Sequence, residues 1–179
     1  MVLRFYNLAE QPFGVTPDPR FLYLSPSHRE ALAALQYSLT ASRGFTALIS
    51  EPGMGKTTIM VDFLEKTRHS TRSTFLFQSQ FTPRDLLSNL LDDLGVQHNS
   101  EDLGRMQQTL NEYLVQEANL GKRVVIVVDE AQNLGEDVLE FVRTLSNFET
   151  PRAKLLHVVL SEPVQSSGMQ LRGLSEATD

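Results

Sequence analysis

The most informative stretch of this chain reads Ser50-Glu51-Pro52-Gly53-Met54-Gly55-Lys56-Thr57-Thr58. Its residues match the pattern G-x-x-x-x-G-K-[ST], except that Ser50 replaces the first glycine. Glycines let the backbone curl so that successive N–H groups point at one anion, at the positive end of the following helix. A short apolar run at residues 45–49 precedes the loop, and a helical pattern follows at residues 57–68. The stretch therefore predicts a phosphate-binding loop between a strand and a helix.

Each residue type in this loop has an expected chemical task. Lys56 would reach the β- and γ-phosphates of ATP, the Thr57 hydroxyl would ligate Mg²⁺, and Thr58 could donate to the α-phosphate. The β-carbon of Ser50 restricts backbone angles that glycine leaves free, so we expect a weaker site that still binds. A glycine-rich turn without a ligand is the alternative, which the strand-loop-helix context disfavours. The residues expected to contact the nucleotide are Ser50, Glu51, Pro52, Gly53, Met54, Gly55, Lys56, Thr57 and Thr58.

Two adjacent acids follow the most hydrophobic run of the chain, at residues 123–128. A near-continuous apolar run is typical of a central parallel strand, and ligands of open parallel sheets lie at the carboxyl ends of strands. We therefore expect Asp129 to hold Mg²⁺, through water, and Glu130 to polarise the attacking water. The alternative is that both acids cap the next helix or lie in solvent. The phosphate-binding loop earlier in the chain favours the catalytic interpretation.

The organisation of the chain predicts an α/β fold with three layers, in which helices flank a parallel sheet. Strands are expected at residues 45–49, 74–79, 123–128 and 155–160. Helices are expected from the cap Ser25-Pro26 to Gly44, at 57–68, from the cap Thr82 to Gly95, at about 101–119, and through 138–145. Three units follow: a proline-containing strap at 1–24 that packs on the core, a P-loop core at 25–163, and an irregular tail at 164–179.

The composition is that of an ordinary globular domain. The chain has 179 residues, of which 41% are hydrophobic and 21% charged. The absence of cysteine excludes a disulfide framework and a thiolate metal site. The net charge of −6 disfavours broad binding to nucleic acid. A basic group of Arg68, His69 and Arg72 is interpreted as a solvated loop.

Neither a membrane segment nor a different catalytic site is predicted. The N-terminus lacks the pattern of a secretory signal, and the longest apolar runs are too short to cross a bilayer. We therefore expect no direct membrane insertion. The four histidines lack the spacing of a zinc site and are interpreted as surface or structural residues. They are His28, His69, His98 and His157.

These residues, together with the strap, resemble the AAA+ ATPase module of the general secretion pathway protein A family. The resemblance extends over about residues 5–163 and includes both the Walker A and the Walker B motifs. The matching stretches are Gln11-Pro12-Phe13, Thr16-Pro17-Asp18-Pro19-Arg20-Phe21-Leu22-Tyr23-Leu24, residues 50–58, Asp129-Glu130-Ala131-Gln132 and, more weakly, Leu145-Ser146-Asn147-Phe148-Glu149-Thr150.

The resemblance implies a cytoplasmic ATPase that energises assembly of a secretion or envelope complex. Its implied partners are ATP with Mg²⁺ and either further copies of the chain or a protein of a membrane-associated complex. It also implies that the strap walls the adenine pocket with Phe13 and Tyr23, although plain core packing would explain both aromatics equally well. Related ATPases select target DNA in transposition.

Two regions depart from the family pattern. Ser161-Glu162-Pro163 stands where the family usually has Gly-Gln-Pro, after the last predicted strand and at the place of a polar γ-phosphate sensor. Ser161 could serve as that catalytic sensor, whereas an ionised Glu162 would repel the phosphate unless it points away. The tail at 164–179 is too short for the family's C-terminal helical lid, so the lid is expected to be absent. The tail also lacks a convincing fifth strand, and Arg172 is a weak candidate for an arginine finger.

Three functions therefore remain open from the sequence. The first is ATP hydrolysis on Lys56, Thr57, Asp129 and Glu130, coupled to assembly. The second is a nucleotide-gated interaction module with little hydrolysis, which Ser50, Glu162 and the missing lid would explain. The third is a DNA-associated ATPase, against which the acidic balance counts.

Overall fold

The computed structural model describes residues 2–10, 18–76, 82–99, 101–151 and 153–164. The helices are α1 (Val2–Phe5), α2 (Pro26–Thr40), α3 (Lys56–Thr67), α4 (Pro83–Asp93), α5 (Leu103–Asn119) and α6 (Glu136–Ser146). The strands are β1 (Phe45–Ser50), β2 (Thr71–Leu76), β3 (Arg123–Val128), β4 (Glu149–Thr150), β5 (Ala153–Lys154) and β6 (Leu156–Pro163). Short 3-10 turns lie at Pro19–Phe21 and Ala131–Asn133.

Four strands form a parallel sheet in the order β1-β6-β3-β2. A helical crossover separates β1 from β2, β2 from β3 and β3 from β6, which is the connection that parallel pairing requires. Strands β4 and β5 form a small antiparallel hairpin just before β6. Because the strands are parallel, the carboxyl ends of β1, β3 and β6 lie at the same edge of the sheet.

The side chains of the sheet alternate between two apolar layers. Val124, Ile126 and Val128 pack with α4, α5 and α6, whereas Val125 and Val127 pack with α2 and α3. Strand β3 is thus covered on both faces, which explains its unbroken run of valine and isoleucine. The predicted three-layer α/β fold is confirmed.

Local sequence signals set several helix starts. Ser25 and Thr82 each cap a helix whose first residue is proline, and each forms a reciprocal capping box with the residue three positions later. The structure confirms the predicted starts of α2 and α4. It ends α2 at Thr40, four residues before Gly44, because a turn separates that helix from β1.

Two strand boundaries differ from the prediction by more than one residue. Strand β2 begins at Thr71 rather than at residue 74. Its polar first half, residues 71–73, pairs with residues 123–125 of β3, and the apolar pattern does not reveal this pairing. Strand β6 continues to Pro163 rather than ending at Leu160. Ser161, Glu162 and Pro163 pair with the last three residues of β1, so their backbone is extended although their side chains are not apolar.

The boundaries of the three predicted units are only partly visible in the described residues. The 3-10 turn Pro19–Phe21 packs against α3, so the end of the strap lies on the core. Residues 11–17, with Phe13, and residues 165–179, with Arg172 and the place of any lid or fifth strand, lie outside the described residues. Within the described part, no helix is both long and apolar enough to cross a membrane.

Candidate functional site

The loop between β1 and α3 has the backbone that anion binding requires. Gly53 and Gly55 have φ of +79° and +76°, a left-handed conformation that other residues adopt only with strain. Gly55 is also the N-cap of α3 and offers no side chain to the first N–H groups of that helix. These N–H groups, at the positive end of a 12-residue helix, are therefore available to an anion.

Lys56 is held across this loop. Its side chain is almost fully buried, and Nζ donates to the carbonyl oxygens of Ser50 at 3.1 Å and Glu51 at 3.3 Å. An ammonium group has three hydrogens, so these two bonds leave one to donate to an anion. The carbonyl of Ser50 makes this contact through its backbone, which serine provides as well as glycine.

Asp129 links the loop to the neighbouring strands. Thr57 Oγ1 donates to Asp129 Oδ2 at 2.5 Å, and Ser161 Oγ donates to Asp129 Oδ1. The backbone N–H of Glu130 donates to Oδ1 as well, at 3.0 Å. The structure thus brings three predicted site residues, Thr57, Asp129 and Ser161, into contact at the carboxyl edge of the sheet.

The oxygen atoms of Thr57 and Asp129 suit Mg²⁺. This ion prefers oxygen ligands and is usually held by one or two protein groups together with water and substrate phosphates. The described residues contain no cluster of three or more histidine, cysteine, aspartate or glutamate side chains that could enclose a metal. A magnesium site here would therefore need a phosphate ligand in addition to the protein.

Glu130 lies at the exposed end of β3 in a left-handed conformation, with φ of 53°. Such a conformation costs on the order of 1 kcal/mol or more for a residue with a side chain. Hydrogen bonds from its N–H to Asp129 and, at 3.3 Å, to Ser161 Oγ offset that cost. The Glu130 carboxylate accepts a hydrogen bond from Gln132 Nε2 at 2.5 Å.

Glu162 points away from the phosphate-binding loop. Side chains alternate along β6, and Ser161 faces Asp129, so Glu162 lies on the opposite face, which packs against α6 and the turn Ala131–Asn133. Its side chain is only 1% exposed, and its Oε1 has no hydrogen-bond partner among the described residues. Burial raises the pKa of Glu162. In this arrangement, Glu162 would therefore not repel a phosphate bound at the loop.

The remaining predicted residues are less constrained. Thr58 lies half-buried in the first turn of α3, and the side chains of Glu51, Pro52 and Met54 are exposed. The ring of Tyr23 is 83% exposed, which excludes the core-packing alternative for this residue in the described structure. Its role in an adenine pocket stays a prediction.

One residue beside the loop was missed by the sequence interpretation. His28 Nε2 lies 3.0 Å from the carbonyl oxygen of Met54. The only sequence signal is its position three residues after the cap Ser25, which indicates a role in starting α2 and nothing about the loop. The contact arises because α2 packs beside α3 and brings its first turn to the loop.

Comparison with known proteins agrees with this geometry. A family model described as "AAA domain" matches residues 39–163. The chain is 38% identical over 161 residues to General secretion pathway protein A of Aeromonas hydrophila, an alignment that covers 89% of this chain. It covers 29% of that protein, so the chain spans less than a third of the relative's length. The family resemblance predicted from the sequence is confirmed.

Solved structures with a similar fold include Cdc6 and ORC proteins. Cdc6p from Pyrobaculum aerophilum aligns with a TM-score of 0.63 and 17% identity, covering 87% of this chain and 46% of that one. The Aeropyrum pernix ORC2 protein, in ADPNP–ADP complexes, aligns with a TM-score of 0.66 and 11% identity, covering 90% and 46%. At such identities, the likeness concerns the fold alone.

Proposed function

Because the chain belongs to the AAA domain family, we propose that it binds Mg-ATP at the loop between β1 and α3 and hydrolyses it. The observation that carries the proposal is the contact of Thr57 with Asp129 at 2.5 Å, beside a buried Lys56. This contact joins the two motifs that must cooperate around a magnesium-bound triphosphate. Between them they offer an ammonium hydrogen, open helix N–H groups and hard oxygen ligands.

Nucleotide binding rests on the loop. The N–H groups of Gly53 and of residues 55–58 donate to the phosphate oxygens, and Lys56 donates its remaining hydrogen to them. Thr57 and Asp129 hold the metal, which, when bound, neutralises negative charge that develops on the phosphates. The low exposure of Lys56 strengthens its interaction with phosphate, because charges interact more strongly away from bulk water.

Hydrolysis rests on Glu130 and Ser161. Glu130 would orient the attacking water and accept its proton, and its exposed position at the end of β3 gives water access to it. Ser161 holds Asp129 through its hydroxyl and contacts the N–H of Glu130, so it aligns both acids. We expect slow turnover by the isolated chain, because the arginine that accelerates such reactions usually comes from a neighbouring subunit.

The relative named General secretion pathway protein A suggests what the ATPase serves. We propose that hydrolysis drives assembly of a secretion or envelope complex, with further copies of the chain or a membrane-associated protein as partner. On this proposal the chain acts in the cytoplasm.

A second candidate function is a nucleotide-gated module with little hydrolysis. The hydrogen bond from Gln132 to the Glu130 carboxylate favours it, because a carboxylate held in this way is less available as a base. In this case nucleotide binding would control partner binding, and phosphate release would stay at background.

Calorimetry with Mg-ATP on the wild-type chain and on Lys56→Ala tests nucleotide binding. Lys66→Ala is the matched control, since Lys66 lies on the same helix, is half-exposed and pairs with Asp62 at 2.7 Å. We expect binding by the wild type and the control and a loss of about 100-fold or more in Lys56→Ala, since a charge pair at 4 Å in a partly buried site is worth roughly 4 kcal/mol. Equal affinities in all three chains would refute the proposed site.

Phosphate release by the wild type and by Glu130→Gln separates the two functions. A rate that falls at least tenfold in Glu130→Gln supports hydrolysis with Glu130 as the base. ATP binding with background release, in wild type and variant alike, supports the gated module. Absence of both ATP binding and release contradicts both proposals.

A further inference from the structure

His28 joins three segments that meet beside the phosphate-binding loop. It is the third residue of α2, and its Nδ1 lies 3.3 Å from the backbone nitrogen of Ser25 and 2.9 Å from the carbonyl oxygen of Tyr23. Its Nε2 lies 3.0 Å from the carbonyl oxygen of Met54. One imidazole ring therefore contacts the end of the strap, the start of α2 and the middle of the loop.

The contacts allow two positions for the hydrogen of the neutral ring. Carbonyl oxygens only accept, so a hydrogen on Nε2 is donated to Met54, whereas a hydrogen on Nδ1 would be donated to Tyr23. We take the hydrogen to lie on Nε2, because the capping box of α2 needs Nδ1 as an acceptor. In the neutral ring Nδ1 then accepts from the N–H of Ser25, which completes the capping box of α2. Glutamate, a usual residue at this position of a capping box, would accept from Ser25 equally well but has no hydrogen for Met54.

The Met54 carbonyl matters because of the peptide unit to which it belongs. The bond between Met54 and Gly55 is trans, so the carbonyl of Met54 and the N–H of Gly55 point in opposite directions. A carbonyl held on the side of His28 turns the Gly55 N–H toward the opposite side of the loop. Glycines on both sides of Met54 make this peptide easy to rotate, so its orientation needs an anchor.

We propose that His28 is a positioning residue for phosphate binding, which anchors the Met54 carbonyl outside the loop and thereby aims the Gly55 N–H at the anion. The inference rests on the proposed nucleotide site. A β-carbon at Gly55 would lie 3.7 Å from His28 Nε2, so the ring also packs against the loop. Because the same ring contacts Tyr23, it connects the loop to the end of the strap.

A pair of substitutions at this position separates the loop contact from the helix cap. In His28→Gln the amide nitrogen reaches the position of Nε2 and can still donate to Met54. In His28→Asn the side chain is one methylene shorter, reaches only the position of Nδ1, and keeps the cap while losing the loop contact. If His28 served only to start α2, His28→Asn would not bind Mg-ATP more weakly than His28→Gln, because both variants keep the cap.

Mg-ATP affinity, measured by calorimetry beside the melting temperature of each nucleotide-free chain, is the readout. We expect His28→Asn to bind about five- to tenfold more weakly than wild type, the effect of one lost hydrogen bond, and His28→Gln to stay within about twofold. Wild-type affinity in His28→Asn, or equal weakening in both variants, would overturn the inference. If His28→Asn does not fold, the inference is tested by the affinity of His28→Gln and by the spectrum of the His28 ring described next.

A nucleotide-free measurement distinguishes failure of this inference from failure of the proposed function. If the wild type takes up no ATP, the proposed function fails, and long-range ¹H–¹⁵N spectra of the histidine rings still test the His28 contact. We expect hydrogen on Nε2 of His28 in the wild type, and a Gly55 amide signal that moves in His28→Asn but not in His28→Gln. A bare Nε2, or an unmoved Gly55 signal, contradicts the inference whether or not ATP binds.

Discussion

Replacing Ser161 by alanine tests how strongly the Ser161 hydroxyl holds the carboxylate of Asp129, which follows the neighbouring strand β3. The hydroxyl is fully buried and donates to Asp129 Oδ1. A hydrogen bond to a charged group contributes roughly 1.5–3 kcal/mol, and Oδ1 keeps the N–H of Glu130 as a second donor at 3.0 Å. The expected loss of unfolding free energy is therefore at the lower end, about 1.5–2 kcal/mol.

This loss can be measured as a shift of the melting temperature. For a chain of this length, 1 kcal/mol corresponds to about 2–4 °C, so we expect Ser161→Ala to melt roughly 3–8 °C below the wild type. Ser146→Ala is the matched control, because Ser146 is equally buried but donates to the helix carbonyl of Arg143 at 2.7 Å. Such a bond to a helix's own backbone contributes little, and the control should melt within about 2 °C of the wild type.

The comparison has a clear refuting result. If Ser161→Ala melts at the same temperature as the wild type, or if both serine variants lose the same stability, then the Ser161 hydroxyl does not hold Asp129. A further readout is the magnesium dependence of ATP binding. ATP binding should depend less on Mg²⁺ in Ser161→Ala and should keep its dependence in Ser146→Ala. Only the first substitution removes a hydrogen bond that holds the carboxylate of Asp129, the proposed metal ligand.

Three further predictions concern buried titratable groups and the loop backbone. Because burial raises the pKa of Glu162, its contribution to stability is complete below the unfolded pKa and is lost as the pH rises through the folded pKa. The free energy of unfolding of Glu162→Gln, measured with urea, should therefore exceed that of the wild type by roughly 1–3 kcal/mol near pH 7.5, and the difference should shrink toward pH 4. A difference that does not change with pH would contradict this prediction. Burial lowers the pKa of His157, so the wild type should lose stability relative to His157→Asn as the pH falls below about 6.5, and parallel pH profiles would refute it. Gly55→Ala and Gly121→Ala should each lower the free energy of unfolding by about 1–2 kcal/mol, because both glycines have a positive φ. Only Gly55→Ala should weaken ATP binding in calorimetry. Equal ATP affinities would show that the loop conformation is not required.

Most of the fold could be predicted because its signals are local. The apolar run of β3, the caps at Ser25 and Thr82, and the glycines before Lys56 act over a few residues, and each was placed correctly or within a few positions. The three-layer architecture then follows, since alternating strands and helices have few ways to cover both faces of a sheet. The predicted boundaries were wrong where strands carry polar residues, at the start of β2 and the end of β6.

The candidate site was predictable to a different degree for each residue. Lys56, Thr57 and Asp129 follow from residue types at characteristic positions in the sequence. Whether Ser161 or Glu162 faces Asp129 depends on the orientation of β6, and two adjacent polar residues do not by themselves show which face of the sheet each one occupies. The register with β1 and β3 settles it, with Ser161 toward Asp129 and Glu162 toward the opposite layer.

The amino-acid order of this chain was enough to predict a glycine-rich loop suited to phosphate, a buried strand that ends in two acids, and the layered fold that brings them to one edge. Backbone freedom at glycine, helix capping and apolar periodicity are properties of short segments, so they can be recognised before any long-range contact is known. The anchoring of the Met54 carbonyl by His28, and the choice between Ser161 and Glu162, required the folded molecule. These contacts join residues that lie far apart in the chain, and only the packing of α2 beside α3 and of β6 between β1 and β3 brings them within hydrogen-bond distance.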